Sequence, residues 1–312
     1  MVFSILINTS CRPTRYIQKN EYLLNKVSVE CNCKENGIDK EELESYIKQK
    51  PNTRILSLFR FHLGAYNLLN RGKERKWKTK IKEVVGEEPV IYDQYLTEKT
   101  RNQFRLFLKN KGFFNATVID SVRFINKKAY VKYFIKENKP YTIRKIQFVI
   151  PDTALNFLLK DTAGRTFIKR NRPYDVDNLQ KERIRITQLL KNKGYYNFSK
   201  EFIDYQVDSA LHSNQVDISL TINNYQVKTV DNKIITSHHK KYCINNVYIF
   251  PDFDPGKALQ NQTAYFSEFD TANAQGYHFI GKEPYPIKTG TIIRSVYIIT
   301  GELYQLTNTD ES

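Results

Sequence analysis

The feature that most constrains this chain is an internal repeat. Leu108-Lys-Asn-Lys-Gly-Phe-Phe-Asn115 recurs as Leu190-Lys-Asn-Lys-Gly-Tyr-Tyr-Asn197, an offset of 82 residues. The same offset carries Tyr92-Asp93 onto Tyr174-Asp175, Lys99 onto Lys181 and Arg101 onto Arg183. A second pattern occurs three times, as Tyr22-Leu-Leu-Asn-Lys-Val-Ser-Val29, Tyr141-Thr-Ile-Arg-Lys-Ile-Gln-Phe148 and Tyr242-Cys-Ile-Asn-Asn-Val-Tyr-Ile249. A chain that repeats one order of segments folds as copies of one unit, so the period has to be settled before any single motif is weighed.

Each copy reads in the same order. The Tyr-led segment alternates apolar and polar side chains at period two, the pattern of a half-buried strand. A short helix follows: in the first copy Asp39 is placed to cap it, with Glu42 three residues on, Leu43, Tyr46 and Ile47 on one face and Pro51 as a stop. In the second, Asp152 caps Thr153–Lys160. A longer helix opens at Asp93 or Asp175, whose carboxylate can satisfy free N–H groups of the first turn. It closes at Gly112 or Gly194, where glycine takes the left-handed conformation cheaply. Leu96, Phe104 and Leu108 share a face in one copy, and Leu179, Ile186 and Leu190 in the other. A hairpin then ends the copy: Ile203, Tyr205 and Val207, then Val216, Ile218, Leu220 and Ile222 after a His-Ser-Asn turn, with Ala129, Val131, Tyr133 and Ile135 as the matching last strand of the first copy. The unit is β-α-α-β-β, and the fold class is α+β: tandem domains, each a three-stranded mixed sheet with two helices on one face.

The 312 residues thus divide into a tether over 1–19, domain 1 over 20–140, domain 2 over 141–227 and a partial domain 3 over 228–312. In the third copy the first strand and first helix are separated by an insertion at about 251–288, and the chain stops after Gly301-Glu-Leu-Tyr304, near the entry to the second helix. Composition is that of folded protein, with 40% hydrophobic and 26% charged residues, and no apolar run approaches the ~18–20 residues of a membrane-spanning helix. Four cysteines, two of them the closely spaced Cys31 and Cys33, argue against a disulfide-rich scaffold.

Charge is uneven. Of the net +16, residues 1–227 hold 41 basic and 24 acidic side chains, whereas residues 228–312 hold 8 and 9. The densest block runs from Arg71 through Lys73, Arg75, Lys76, Trp77, Lys78 and Lys80 to Lys82. It can grip phosphates of nucleic acid or of lipid headgroups, with Trp77 stacking on a base or seated at a membrane interface, or it can be a solvated loop. The N-terminal Val2–Ile7 stretch ending at Ser10-Cys11 has the outline of a lipoprotein signal remnant, but its apolar core is short and no basic residue precedes it, so an ordinary N-terminus fits the segment equally.

Catalytic motifs fail on inspection. Gly276-Tyr-His-Phe-Ile-Gly-Lys282 has the spacing of a phosphate loop, but Glu283 stands where Ser or Thr must bind Mg²⁺. His238-His239 near Cys243 matches no zinc spacing and reads as a linker. Cys31-Asn-Cys33 reads as two surface thiols or a chance pair rather than half a metal site. No carboxylate pair is marked out for acid/base work. No enzyme, cofactor or metal is expected.

The unit order, with Gly-aromatic-aromatic closing the second helix and Tyr opening the next first strand, resembles the POTRA domain. Cys11…Glu21-Tyr-Leu-Leu-Asn-Lys-Val27, Ile38-Asp-Lys-Glu-Glu-Leu43, Gln49-Lys-Pro51 and Glu87-Glu-Pro-Val-Ile-Tyr-Asp93 resemble the lipid-anchored TamA-like (TamL) subfamily of the BamA/TamA outer-membrane assembly proteins. The resemblance implies a chaperone-scaffold at the periplasmic face of the outer membrane, binding β-barrel precursors or a TamB-like partner by β-augmentation. It implies acylation of Cys11 and, in the intact protein, a C-terminal β-barrel that these residues do not contain. It also puts the client edge on the first strand of each closing hairpin: Ala116, Val118, Asp120 and Val122 in one copy, Phe202, Asp204 and Gln206 in the other. The basic block becomes a headgroup or partner contact. A nucleic-acid-binding repeat protein and a structural adaptor of a cell-envelope complex are the competing readings; the acyl-Cys-like start disfavours nucleic acid.

Overall fold

A computed structural model describes residues 14, 17–53, 61–69, 87–210, 213–228 and 231–312, and the chain divides into two compact units. Cys11 and the basic block 71–82 lie outside the described residues.

The first unit comprises Met1–Thr142 with Pro173–Val176. Its sheet is built from β1 (Leu23–Glu30), β2 (Thr117–Ile125) and β3 (Lys128–Lys136), in the order β1-β3-β2. β3 runs parallel to β1, from Leu24↔Ala129 to Glu30↔Phe134, and antiparallel to β2, from Thr117↔Lys136 to Ile125↔Lys128. The β2–β3 turn puts Asn126 and Lys127 at positive φ (48° and 56°), the backbone that a two-residue hairpin requires. Alternation along β3 buries Ala129, Val131, Tyr133 and Ile135. The helices α1 (Lys40–Ser45) and α3 (Gln94–Asn110) supply Leu43, Phe104, Phe107 and Leu108 to the same core. Asp39 caps α1 through the N–H groups of Glu41 and Glu42, and Asp93 caps α3 through those of Tyr95 and Leu96.

Two features depart from the expected order. α1 ends at Ser45, well before Pro51, and an extra helix, α2 (Phe61–Leu69), follows it. Leu63 on α2 is fully buried with Ile17 and Leu23, a small second cluster over the start of β1. The long connection between α1 and α3 has room for that excursion, whereas its counterpart in the second copy is short. The second departure is at the end of β1: Cys31 and Cys33 are joined by a disulfide and Cys33 is buried, so they are not surface thiols.

The second unit comprises Ile143–Arg172 with Asp177–Ser312. Here β4 (Thr142–Val149), β5 (Ile203–Asp208) and β6 (Gln215–Ile222) stand in the order β4-β6-β5, the same arrangement as in the first sheet. Val216, Ile218, Leu220 and Ile222 of β6 are all buried, and Leu220 and Ile222 share a core with residues of α4 (Thr153–Asp161) and α5 (Val176–Lys191). Asp152 caps α4 through the N–H groups of Ala154 and Leu155. On the apolar face of α5 sits a fully buried carboxylate, Glu182. It takes the Phe167 N–H at 3.0 Å and the Arg185 guanidinium through Nε (3.0 Å) and Nη2 (2.7 Å). At the same repeat position α3 carries buried Thr100, whose Oγ1 accepts the Lys48 N–H at 3.0 Å. Both residues pin the preceding connection to the long helix, one with a hydroxyl and one with an ion pair.

Beyond β6 a short ribbon, β7 (Tyr225–Lys228) with β8 (Ile234–Ser237), leads to His238 and His239. His239 packs on Phe198, Phe202 and Tyr225, while the His238 ring and the His239 N–H meet Asp152. These contacts tie the linker down. The residues expected to form an insertion fold with the end of the third Tyr-led segment. β9 (Tyr248–Ile249), α6 (Pro255–Gln260), α7 (Gln262–Ser267), β10 (Asp270–Ala274) and β11 (Tyr277–Gly281) give a third sheet ordered β10-β11-β9, with β9 parallel and β10 antiparallel to β11. It repeats the β-α-α-β-β order in miniature. Two short helices, α8 (Thr289–Ile293) and α9 (Leu306–Glu311), end the chain.

The Gly-aromatic motif makes the same joint in each unit. In the first, Gly112 (φ 89°) accepts the Tyr141 N–H at 2.9 Å, and Tyr141 O accepts the Tyr174 N–H at 2.9 Å. Phe114 lies against both tyrosine rings, and Asn115 donates to Tyr141 Oη. In the second, Gly194 (φ 92°) accepts the Tyr242 N–H at 2.8 Å, Tyr242 O accepts the Tyr304 N–H at 2.9 Å, Tyr196 lies against both rings, and Asn197 donates to Tyr242 Oη.

Candidate functional site

An edge strand presents unpaired N–H and C=O groups that an extended chain can complete. Each three-stranded sheet has two edges, and the two are not equivalent. β1 begins under residues 90–92: Leu24 donates to Val90 O, and Tyr92 donates to Tyr22 O. Buried Asn52 clamps that cover by donating to Glu88 O and accepting the Val90 N–H. β4 is covered likewise, since Ile143 donates to Arg172 O and Asn171 donates to Ile143 O. Among the described residues no backbone pairs with the outer side of β2 or β5. These are the first strands of the two closing hairpins. At ~3.4 Å per residue, β2 offers roughly 30 Å of edge and β5 roughly 20 Å.

Side chains place the expected residues on different faces. Val118, Asp120 and Val122 lie on the core side of β2, with Val118 fully buried, while Ile119 is 64% exposed on the other side. Asp204 and Gln206 lie on the solvent side of β5, and Tyr205 and Val207 face inward. Ala116 and Phe202 fall outside the strands. The Ala116 N–H is used by Phe113 O; the Phe202 N–H goes to Ser199 O, and its carbonyl takes the Asn223 N–H. The available edges are therefore Thr117–Ile125 and Ile203–Asp208. What a strand added there would contact is backbone, because the side chains along the two edges differ in kind and facing.

Each long helix sends an arginine onto its edge strand from the same repeat position. Arg101 Nη1 donates to Asp120 Oδ1 at 2.6 Å, and Arg105 donates to the Val118 carbonyl at 3.1 Å. The Arg183 guanidinium stacks over the Tyr205 ring at 5.2 Å. Arg101 Nε and Arg183 Nε are buried without a hydrogen-bond partner among the described residues, as is Tyr205 Oη. Burial pushes the Tyr205 phenol well above its usual range, with the Glu182 carboxylate adding to the shift. On the outer face of the second sheet, Lys145, Gln147, Gln206, Asp208, Asp217 and Ser219 line an open depression of about 490 Å³. Arg144 forks onto Asp217 (2.8 and 2.5 Å) and holds that carboxyl below the usual carboxylate range.

Sequence reasoning missed Arg105, Asn52 and Glu182. The first two are ordinary polar residues whose partners are backbone atoms distant in sequence. Glu182 interrupts an apolar helix face, and that interruption is the signal that could have marked it. Gly276–Lys282 is β11 and its approach, a paired strand with no loop to cradle phosphate. No described helix is long and apolar enough to cross a membrane.

No protein-family model matches the chain, and no curated protein does. Among the solved structures it is similar to are POTRA domains. POTRA3-5 of BamA from Haemophilus influenzae is 10% identical over 85% of this chain and 97% of that one, with a TM-score of 0.34. POTRA1-3 of the periplasmic domain of Omp85 from Anabaena is 13% identical over 94% and 83%, with a TM-score of 0.31. CdiB from Escherichia coli is 7% identical over 67% of this chain and 28% of its own, with a TM-score of 0.27. Similarity at this level fixes neither family nor activity.

Proposed function

We propose that the chain is the periplasmic scaffold of an outer-membrane protein assembly or secretion factor, and that it holds extended segments of β-barrel precursors, or of a partner subunit, along the β2 and β5 edges. The observation that carries the reading is the open edge recurring at the same place in two copies of one unit, while the opposite edge of each is partly covered. Pairing through backbone reads conformation more than sequence, which suits a scaffold that serves many clients. The motif resemblance to the TamA-like subfamily supports division into domains over 20–140, 141–227 and 228–312, a lipid anchor at Cys11, a TamB-like partner and headgroup contacts by Arg71–Lys82.

A proline scan tests the edge. Along Asp204, Tyr205, Gln206 and Val207, alternate N–H groups point toward β6 and away from it, and proline is tolerated where the N–H points away. Substitutions that keep the fold by circular dichroism should abolish binding of peptides copying the membrane strands of a β-barrel. Unchanged peptide binding by every folded variant, here and in a matching scan of Ile119–Val122, would refute the reading. Binding of duplex DNA that falls steeply with salt would favour the nucleic-acid alternative instead.

A further inference from the structure

β1 and β3 run in parallel, so the segments that leave their C-terminal ends emerge side by side. One carries Cys31 and Cys33, the other Glu137. The two sulfurs and a Glu137 carboxylate oxygen all lie within 4.8 Å of one another. Cys33 is 2% exposed and Glu137 3%, and Glu137 Oε1 has no hydrogen-bond partner among the described residues. The Cys33 carbonyl accepts the Ile38 N–H at 2.9 Å, which fixes the loop on this spot.

A buried carboxylate is costly unless it is paired, and a disulfide offers it neither a donor nor a positive charge. Oε1 of Glu137 therefore has no donor among the described residues in the oxidised form. We propose that the reduced pair Cys31 and Cys33, with Glu137, forms a site for a thiophilic divalent cation, Zn²⁺ in the first instance, which the disulfide closes. Two thiolates and one carboxylate are donors that Zn²⁺ accepts, and three protein ligands leave the fourth tetrahedral position to water or to a ligand from a partner. Zn–S bonds of ~2.3 Å hold two sulfurs roughly 3.8 Å apart, which side-chain rotation supplies. The Cα atoms are already 5.1 Å apart.

Opening the site takes two electrons. A dithiol exchanges with the Cys31–Cys33 bond, leaves as its own cyclic disulfide, and transfers two hydrogens to the protein sulfurs. Half-buried Cys31 is the accessible point of attack. Zn²⁺ then displaces the two thiol protons, which leave to solvent, and takes a Glu137 carboxylate oxygen as its third protein ligand. The site belongs to the first sheet alone, and its test stands apart from that of the edges.

The experiment uses the full chain carrying Cys11→Ser and Cys243→Ser, reduced with a phosphine under nitrogen and titrated with Co²⁺ and then Zn²⁺. The expected result is one Co²⁺ per chain with a thiolate-to-cobalt charge-transfer band, displaced by Zn²⁺, and no band for the disulfide form. Cys33→Ser should abolish the band. Glu137→Gln should weaken Zn²⁺ by at least the roughly 10–100-fold that loss of an outer partner costs. A reduced, folded protein with no thiolate–cobalt band, or a folded Glu137→Gln variant that binds as tightly as the parent, would overturn the proposal. If reduction or the Glu137 substitution unfolds the first unit, Zn²⁺ should restore the circular dichroism of the reduced parent; failure to do so overturns it equally.

Discussion

Gly112 and Gly37 both lie in the first unit at positive φ, 89° and 68°, and alanine at the two positions separates two costs that are usually confounded. At Gly37 an added Cβ meets nothing within 4 Å, so only backbone strain is at stake. The left-handed conformation costs an L-residue about 1–2 kcal/mol. Loss of unfolded-state freedom offsets about 0.4–1 kcal/mol of that. The net loss at Gly37 is then roughly 1 kcal/mol or less. At Gly112 the same Cβ falls 2.5 Å from the backbone carbonyl oxygen of Tyr174, which cannot swing aside as a side chain does. Relief requires moving the backbone that holds Tyr141 N–H to Gly112 O and Tyr174 N–H to Tyr141 O. Two such bonds at about 0.5–1.5 kcal/mol each bring the loss to about 2–4 kcal/mol. For a unit near 150 residues, at roughly 2–4 °C per kcal/mol, Gly37→Ala should lower Tm by a few degrees and Gly112→Ala by roughly 5–15 °C. Thermal circular dichroism gives the shift, and hydrogen exchange of peptides spanning 108–116 and 141–148 assigns it to the joint. Equal shifts for the two variants would refute the reasoning, because they would show that the contact with Tyr174 contributes nothing.

Three further outcomes follow from the second unit. Gly194→Ala should fall between the other two glycines, since its Cβ meets the Leu303 side chain at 2.6 Å, whose tip can turn away; thermal shift checks this. Glu182→Ala should destabilise by about 3–5 kcal/mol in urea unfolding, because it leaves the Arg185 guanidinium and the Phe167 N–H without their buried acceptor, whereas Glu182→Leu with Arg185→Met should cost less, since only the Phe167 N–H then loses its acceptor. The Tyr205 phenol has a folded pKa raised above its unfolded value near 10, so the folded state holds its proton longer; its contribution is intact below about pH 10 and is lost as the pH rises beyond that. Tyr205→Phe should flatten that alkaline decline, and at neutral pH should cost little, since the hydroxyl it removes is buried without a hydrogen-bond partner among the described residues.

Local rules were enough to read most of the repeated unit. Asp39, Asp93 and Asp152 cap their helices as their positions require, Gly112 and Gly194 take the left-handed conformation, and β3 and β6 bury the alternating residues that the pattern selects. What escaped depends on partners remote in sequence. α2 is fixed by Leu63 meeting Ile17 and Leu23, and no local signal announces that. The third sheet was hidden because its β9 is two residues long and its helices have six each, too short for periodicity to register. The edge strands were legible as strands, but the unequal covering of the two edges was not. It depends on hydrogen bonds from residues 90–92 and 171–172, segments that carry no strand pattern of their own.

The two copies also separate what the unit must keep from what it can vary. At the equivalent positions 100 and 182 the polar pin on the long helix changes from a hydroxyl to an ion pair, and the core aromatics differ throughout. Two things persist: the Gly-tyrosine joint, down to the asparagine that donates to the tyrosine hydroxyl, and an arginine reaching from the long helix onto an uncovered edge. If the edges were incidental, an exposed row of backbone groups would be a liability to blunt with proline, a bulge or a covering segment. The chain covers part of the opposite edges, at the starts of β1 and β4, and among the described residues no backbone pairs with the outer side of β2 or β5. In each copy, moreover, the arginine Nε beside the bare strand is buried with its hydrogen-bonding capacity unused among the described residues. A buried donor without an acceptor is unfavourable in the free protein, and a carbonyl of an added strand would satisfy it. Arg101→Lys and Arg183→Lys keep the charge and remove that N–H, so they should weaken peptide addition at the edges by fluorescence anisotropy, with a fall in Tm of a few degrees at most from the altered Asp120 and Tyr205 contacts. A loss of stability without loss of binding would make the arginines supports of the fold alone.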